Sequence, residues 1–336
     1  MSSAGSTHRP DNVPHGARAA PERARVLLIP IPWGATVSAA AAPEAILAAS
    51  ASLEPHEIET GRLDRAGLAT LPLPETVAGC CDAARSAAAQ PKQQSAQQLD
   101  ALGEQLASWL EQESRDQLAA GRLVGVVGGD RSAAHGLVRA AARSRAGIGV
   151  LHVGAQAALR AGSDGLRWSP ASAMHNVLES IPEVAGIVQV GVRECSEEEA
   201  RRVRDNPRRL RSYFDADLRS QLFDGEVWSR IAKRVVADLP REVYLSFDVG
   251  GLDPALFPSG ANPIPGGLSF AEAVALLRIL VESGRRVVAF DLCEVSVGAD
   301  GGVSREARIA ARLLYKLIGF ALLSQLSPEP GPATDS

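Results

Sequence analysis

The stretch Tyr244-Leu245-Ser246-Phe247-Asp248-Val249-Gly250-Gly251-Leu252-Asp253-Pro254-Ala255 decides how the chain is read. An apolar run ends in Ser-Phe-Asp, and Gly-Gly followed by Asp-Pro turns the backbone away. A short apolar run bounded by turn residues reads as a buried strand. In open α/β sheets, ligands sit outside the carboxyl ends of the strands. A strand that ends in a carboxylate and breaks at once therefore marks a candidate site.

Similar units lie on both sides of it. Arg25–Pro32, Leu123–Gly128, Ile148–Val153, Gly186–Gly191 and Arg286–Val295 are apolar runs that read as further buried strands. A short strand is expected near His56-Glu57-Ile58. Between them, Leu99, Leu102, Leu106, Leu110 and Leu118 recur at helical spacing, and Ser269–Val281 and Arg305–Leu323 read as amphipathic helices. Pro43-Glu44-Ala45-Ile46-Leu47 reads as a helix start with proline in its first turn. The dense charge of Glu197–Arg211 predicts a solvated helical face, and Val227–Val236 a helix. Alternating strands and helices predict a mostly parallel central sheet covered on both faces, a three-layer α/β/α sandwich.

The chain has 336 residues and a net charge of −4 with both signs mixed along it. No long basic run points to nucleic acid, and no apolar run is long enough to span a membrane. No apolar segment ahead of a cleavage site suggests a secretory signal. Cys80, Cys81, Cys195 and Cys293 form no C-x-x-C pair, which fits buried thiols in a reducing cytoplasm. Residues 1–22 and 327–336, rich in Ser, Pro and Gly, are expected to be disordered tails.

Ser246-Phe247-Asp248 with Leu252-Asp253-Pro254-Ala255, followed by Pro263-Ile264-Pro265-Gly266-Gly267-Leu268, resembles a signature of the ureohydrolases, the arginase and agmatinase family. Gly128-Gly129-Asp130-Arg131-Ser132 resembles that family's Gly-Gly-Asp-His-Ser. Phe290-Asp291-Leu292-Cys293-Glu294-Val295 resembles its Gly-Phe-Asp-x-x-Glu-Val, and Gly191-Val192-Arg193 its Gly-Ile-Arg. The resemblance runs from Val26 to Leu323 and implies one arginase-like domain over 23–326. It implies manganese at six ligand positions, which here hold Arg131, Gly154, Gln156, Ala158, Asp248 and Gly250. It implies that Glu294 faces a substrate guanidinium and that Pro170 stands where the family has a histidine. It also implies a homo-oligomer, or a hetero-oligomer with an intact ureohydrolase.

Hydrolysis of a guanidine attacks a resonance-stabilised carbon, and two metals bridging a water are suited to it. Of the six positions only Asp248 is a strong ligand for a divalent cation. The expectation is therefore a catalytically degenerate member without cofactor, acting as a binding, regulatory or partner subunit. The alternative is a manganese-dependent C–N hydrolase of a guanidine or amidine. Asp130, Arg131, Gln156, Asp248, Asp253 and Glu294 are the expected pocket residues, suited to a small guanidine or amine. The Arg131 guanidinium is expected to pair with Asp248, with Gln156 alongside. Three further readings stay open. Asp253 is either a pocket residue or the cap of the turn before Pro254. His152 is either a core residue or a ligand. Catalysis by Cys293, or by Asp248 with Glu294 as an acid–base pair, needs partners that the sequence does not place.

Overall fold

The computed structural model describes residues 19–34, 37–90, 92–162, 166–258, 262–297 and 304–326. The expected tails lie outside the described residues except for 19–22. There, Ala19 N already donates to Leu68 O at 2.9 Å, so the chain joins the sheet edge ahead of the expected start at 23.

In chain order the strands are β1 (Val26–Ile31), β2 (His56–Glu57), β3 (Gly61–Arg62), β4 (Leu68–Thr70), β5 (Leu123–Gly128), β6 (Ile148–Val153), β7 (Val184–Val192), β8 (Leu210–Phe214), β9 (Glu242–Asp248) and β10 (Arg286–Cys293). The helices are α1 (Val37–Ser50), α2 (Glu75–Ala88), α3 (Lys92–Ala119), α4 (His135–Ser144), α5 (Ala173–Ser180), α6 (Glu197–Asp205), α7 (Asp215–Phe223), α8 (Trp228–Ala237), α9 (Phe270–Glu282) and α10 (Arg305–Ser324). Eight strands form one sheet in the order β4-β1-β5-β10-β9-β6-β7-β8, and every neighbouring pair is parallel. β2 and β3 form a small antiparallel pair.

One core packs α1, α8, α9 and α10 on one face of the sheet, and a second packs α2, α3, α4 and α5 on the other. Burial on both faces explains why β1 and β5 read as continuous apolar runs. The sheet and the first core meet most tightly at Phe290, which is fully buried over Gly125, its register partner. A Cβ on Gly125 would lie 2.3 Å from the Phe290 ring, so the strand needs a glycine there. That burial contributes roughly 1.5–3 kcal/mol. Ser269 and Glu272 cap α9 reciprocally, and Ser196 and Glu199 cap α6, which sets both helix starts.

Two expectations are corrected. α1 starts at Val37, so Pro43 stands inside the helix rather than in its first turn; the alanines Ala39–Ala42 before it are the strongest helix formers and carry the helix into the proline. The charged run expected as one helical face splits into α6 and the edge strand β8, with α7 following. A half-exposed edge strand carries arginines without cost, which hides it from hydrophobic periodicity.

Four strands side by side, β5-β10-β9-β6, bring their carboxyl ends together at one edge of the sheet. Below that edge a polar row crosses five strands. Ser212, Gln189, His152, Ser246 and Asp291 are successive register partners across β8, β7, β6, β9 and β10. Ser212 Oγ donates to Gln189 Oε1 at 2.7 Å. Gln189 Nε2 approaches His152 Nδ1 at 3.0 Å and donates to Ala157 O at 2.7 Å. Ser246 Oγ donates to Asp291 Oδ1 at 3.2 Å. Asp291 Oδ2 has no hydrogen-bond partner. Burial pushes the Asp291 carboxyl up to about 7, against the hydroxyls and thiol that favour its ionised form.

A raised carboxyl pKa makes the folded state bind a proton that the unfolded chain has released. The stability this group contributes therefore falls as pH rises from the ordinary Asp value to about 7. Asp291→Asn removes this dependence. Between pH 5 and 8 the variant should gain on the native protein by about 2 kcal/mol, read from urea midpoints. Parallel pH profiles would count against it.

Candidate functional site

The four strand ends enclose a cavity of about 310 Å³ whose lining includes Asp130, Arg131, Gln156, Arg193, Asp248, Asn262 and Glu294. After β5, Asp130 caps a short 3₁₀ turn: its Oδ1 accepts from Ser132 N at 2.8 Å and from Ser132 Oγ at 2.5 Å. That turn aims Arg131 into the cavity. Nη2 donates to Gln156 Oε1 at 2.9 Å and lies 3.4 Å from Asp248 Oδ2. Nε and the Arg131 backbone N both donate to Glu294 Oε1 at 3.2 Å. Only 5% of the Arg131 side chain is exposed, and 2% of Asp248.

Asp248 pairs with Arg131 as expected from the residue types. Glu294, expected to face a ligand, lines the cavity and also gives one of its oxygens to Arg131. Glu294 takes this position with a left-handed φ of 64°, held by its N–H donating to Gly129 O at 2.7 Å. That backbone is strained for a residue with a Cβ, at a cost of order 1–3 kcal/mol.

Burial works against the Arg131 charge, but Asp248 and Glu294 outweigh it and hold the guanidinium above its ordinary value. Burial raises the Asp248 carboxyl, opposed by Arg131 and reinforced by Glu294. Burial and then Glu294 push Asp130 up as well. Each carboxylate keeps its charge only as far as its cation and amide donors allow.

Gly154 and Gly250 flank Asp248. Gly250 N donates to Asp248 Oδ1 at 2.6 Å. A Cβ on Gly154 would stand 3.3 Å from Asp248 Oδ2 and 2.7 Å from His152 Nε2. His152, fully buried two residues earlier on the same strand face, therefore occupies the space of a side chain at 154. It is locked there. Gln189 Nε2 is committed to donating by Ala157 O, so His152 Nδ1 accepts and the ring proton sits on Nε2, which has no partner. Burial, then Arg131, lowers the His152 pKa to about 3 and keeps it neutral. His152 is thus the buried core residue of its two open readings, and what the sequence did not signal is the space it takes beside Gly154.

Ala158 lies outside the cavity lining, at φ 54°, and its carbonyl accepts from Met174 N and His175 N at the start of α5. Pro170 lines the cavity. Asp253 is corrected: its carboxylate is exposed, accepts from Ala255 N at 2.9 Å, and caps the turn before Pro254 rather than lining the pocket. Cys293 is buried, with its thiol pKa pushed well up by burial and then by Asp291, so it stays protonated. His175 pairs with Arg202 on the outer face of α5.

Sequence reasoning missed Arg193 and Glu194 as site residues. Arg193 binds Gly191 O, Gly250 O, Leu252 O and Ile264 O at 2.8–3.2 Å, tying the β7 end to the loops after β9. Glu194 Oε2 accepts from Gln156 Nε2 at 2.5 Å and so orients its amide. The Gly-Val-Arg match was the available signal for Arg193.

A sequence profile of the Arginase family matches residues 24–319. The chain belongs to the arginase family. It is 33% identical over 315 residues to an N(1)-aminopropylagmatine ureohydrolase of Thermus thermophilus, covering 91% of this chain and 93% of that protein. It is 26% identical over 303 residues to a protein of the same name from Synechocystis, covering 88% and 89%. In fold it resembles the agmatine ureohydrolase of Thermoplasma volcanium, with a TM-score of 0.70 at 22% identity, covering 92% and 94% of the two chains. The proclavaminate amidinohydrolase of Streptomyces clavuligerus superposes with a TM-score of 0.67 at 19% identity, covering 89% and 92%. The fold is thus arginase-like, with the three layers expected.

Two divalent cations need several oxygen or imidazole donors converging on each ion. Among the described residues no group of three or more His, Cys, Asp or Glu is arranged to hold a metal. At the centre of the carboxylates stands a guanidinium, whose charge repels a cation. The donor set present here does not fit a dinuclear manganese centre.

Two outcomes follow. Arg131→Ala strands the buried Asp248 and should lower the unfolding free energy by about 3–5 kcal/mol in urea titration. Arg131→Met with Asp248→Asn should cost less than the sum of the single changes. Gly154→Ala should cost about 1–3 kcal/mol in the native background, because its Cβ meets a ring that cannot retreat. In a His152→Ala background the same change should cost under about 0.5 kcal/mol; equal costs in both would disprove the steric coupling.

Proposed function

We propose that this arginase-family chain is a catalytically degenerate ureohydrolase that binds a small amine or amide without a dimanganese centre, as a binding, regulatory or partner subunit. One observation carries the reading: the Arg131 guanidinium, buried in the cavity lining, is held by Asp248, Glu294 and Gln156. Glu294 and Asp130, with Asn262, line the cavity and are the groups this reading assigns to a ligand. A cationic amine suits them, because a carboxylate forms its strongest hydrogen bonds with charged donors. The reading takes a homo-oligomer, or a hetero-oligomer with an intact ureohydrolase, as the assembly, and the cytoplasm as the location. No helix among the described residues is long and apolar enough to cross a membrane, and the four cysteines are free.

A second reading, a manganese-dependent C–N hydrolase of a guanidine substrate, is favoured by the identity to relatives named as ureohydrolases. The two diverge in one experiment. The protein is purified with excess Mn²⁺, metal per chain is measured, and urea release is assayed with agmatine, N(1)-aminopropylagmatine and arginine. The first reading expects no stoichiometric manganese, no turnover, and an amine-dependent rise in melting temperature that Glu294→Gln abolishes. Two manganese ions per chain with urea release would establish the second. No thermal response to any amine would remove ligand binding from the first.

A further inference from the structure

The head group of Arg131 is held through Nε and Nη2 by side chains from other strands, and its Nη1 is buried without a hydrogen-bond partner among the described residues. Its acceptors come from three strand ends: Glu294 after β10, Gln156 after β6 and Asp248 closing β9. Each is far from Arg131 in sequence, so none is placed by the local turn. Each acceptor also has an anchor of its own. Glu294 is held by its strained backbone and by Gly129 O. Gln156 is held by Glu194, and Asp248 by Gly250 N. Gln156 and Asp248 thus keep anchors apart from the guanidinium, and Glu294 Oε1 keeps the Arg131 backbone N as a donor. The acceptors comprise two carboxylates and one amide oxygen, a set matched to a planar cation with diverging N–H groups and poorly matched to the point charge of an ammonium.

We propose that this acceptor set is a guanidinium-binding site that the protein keeps filled in cis with Arg131. This rests on the metal-independent reading above and goes beyond it. It places the native ligand outward of Arg131, on Asp130, Asn262 and the free oxygen of Glu294. It also makes the inner site closed to a guanidinium from solution unless the Arg131 head leaves. Truncating Arg131 should expose the inner site with its acceptors still in place.

The test compares the native protein with Arg131→Ala and Arg131→Gln. Each is titrated calorimetrically with methylguanidinium chloride, methylammonium chloride and MnCl₂, and melting temperatures are recorded alongside. Both variants should bind one methylguanidinium saturably, at least about tenfold more tightly than methylammonium. Their melting temperatures should rise by at least ~2 °C at saturation. The native protein should show no preference for methylguanidinium over methylammonium. If Arg131→Ala does not fold alone, recovery of folded protein from denaturant with methylguanidinium present supports the proposal. Absence of such recovery, together with no binding to Arg131→Gln, overturns it. Equal binding to the native protein, or a preference of the variants for methylammonium or Mn²⁺, also overturns it. Stoichiometric manganese in the native protein would sink the metal-independent reading itself, whereas variants of a metal-free native protein that ignore methylguanidinium would sink only this inference.

Discussion

A buried positive charge between two carboxylates is the constraint around which the sheet edge is built. At the 3.4 Å separation of Arg131 and Asp248, attraction at an effective dielectric near 20 is on the order of 4–5 kcal/mol. Desolvating each ion costs several kcal/mol, so the pair adds little net stability by its presence. Its importance lies in what happens when a member is missing. Asp248 is fixed as the last residue of a central strand, and Glu294 is fixed by the turn after the neighbouring one. With those two in place, a cation is required between them, and the 3₁₀ turn capped by Asp130 is what delivers it.

The same logic accounts for the glycines and the histidine nearby. Gly154 leaves room against Asp248, and His152 fills that room from the layer below. Arg193 then gathers the carbonyls of the loops after β9, adding to the backbone bridge between Leu252 and Leu268. The cavity is therefore a set of mutually dependent side chains standing on four rigid strand ends. That set is particular to this chain, while the scaffold is shared with the agmatine ureohydrolase of Thermoplasma volcanium.

Much of this was legible in the sequence, for a physical reason. Buried parallel strands must be apolar throughout, and their ends must turn with Gly, Asp or Pro, so Val26–Ile31, Leu123–Gly128 and Glu242–Asp248 announce both themselves and the site. Asp248, Gln156 and Arg131 could be expected to meet because the resemblance puts all three at ligand positions of one site at the strand ends. β8 could not be read, since an edge strand with arginines has no apolar signature. The bond from Arg131 to Glu294 was hidden as well: it depends on an unusual backbone angle at Glu294, which no residue preference foretells. Asp253 showed the opposite failure, where a carboxylate next to proline served only its own turn.

The polar row from Ser212 to Asp291 has a consequence for how the chain finds its alignment. Parallel strands of uniform Val, Leu and Ile can slide past one another with little change in apolar contact, and a slip of one residue exchanges the two faces. Here a slip of two residues keeps the faces but sets Gln189 opposite Val150 or Gly154 instead of His152, so its amide loses the ring acceptor in a dry layer. The row therefore acts as a notch cut across five otherwise smooth strands. It penalises slips of β8 on β7, β7 on β6 and β9 on β10 separately, which helps the strand ends that carry the pocket arrive level with one another.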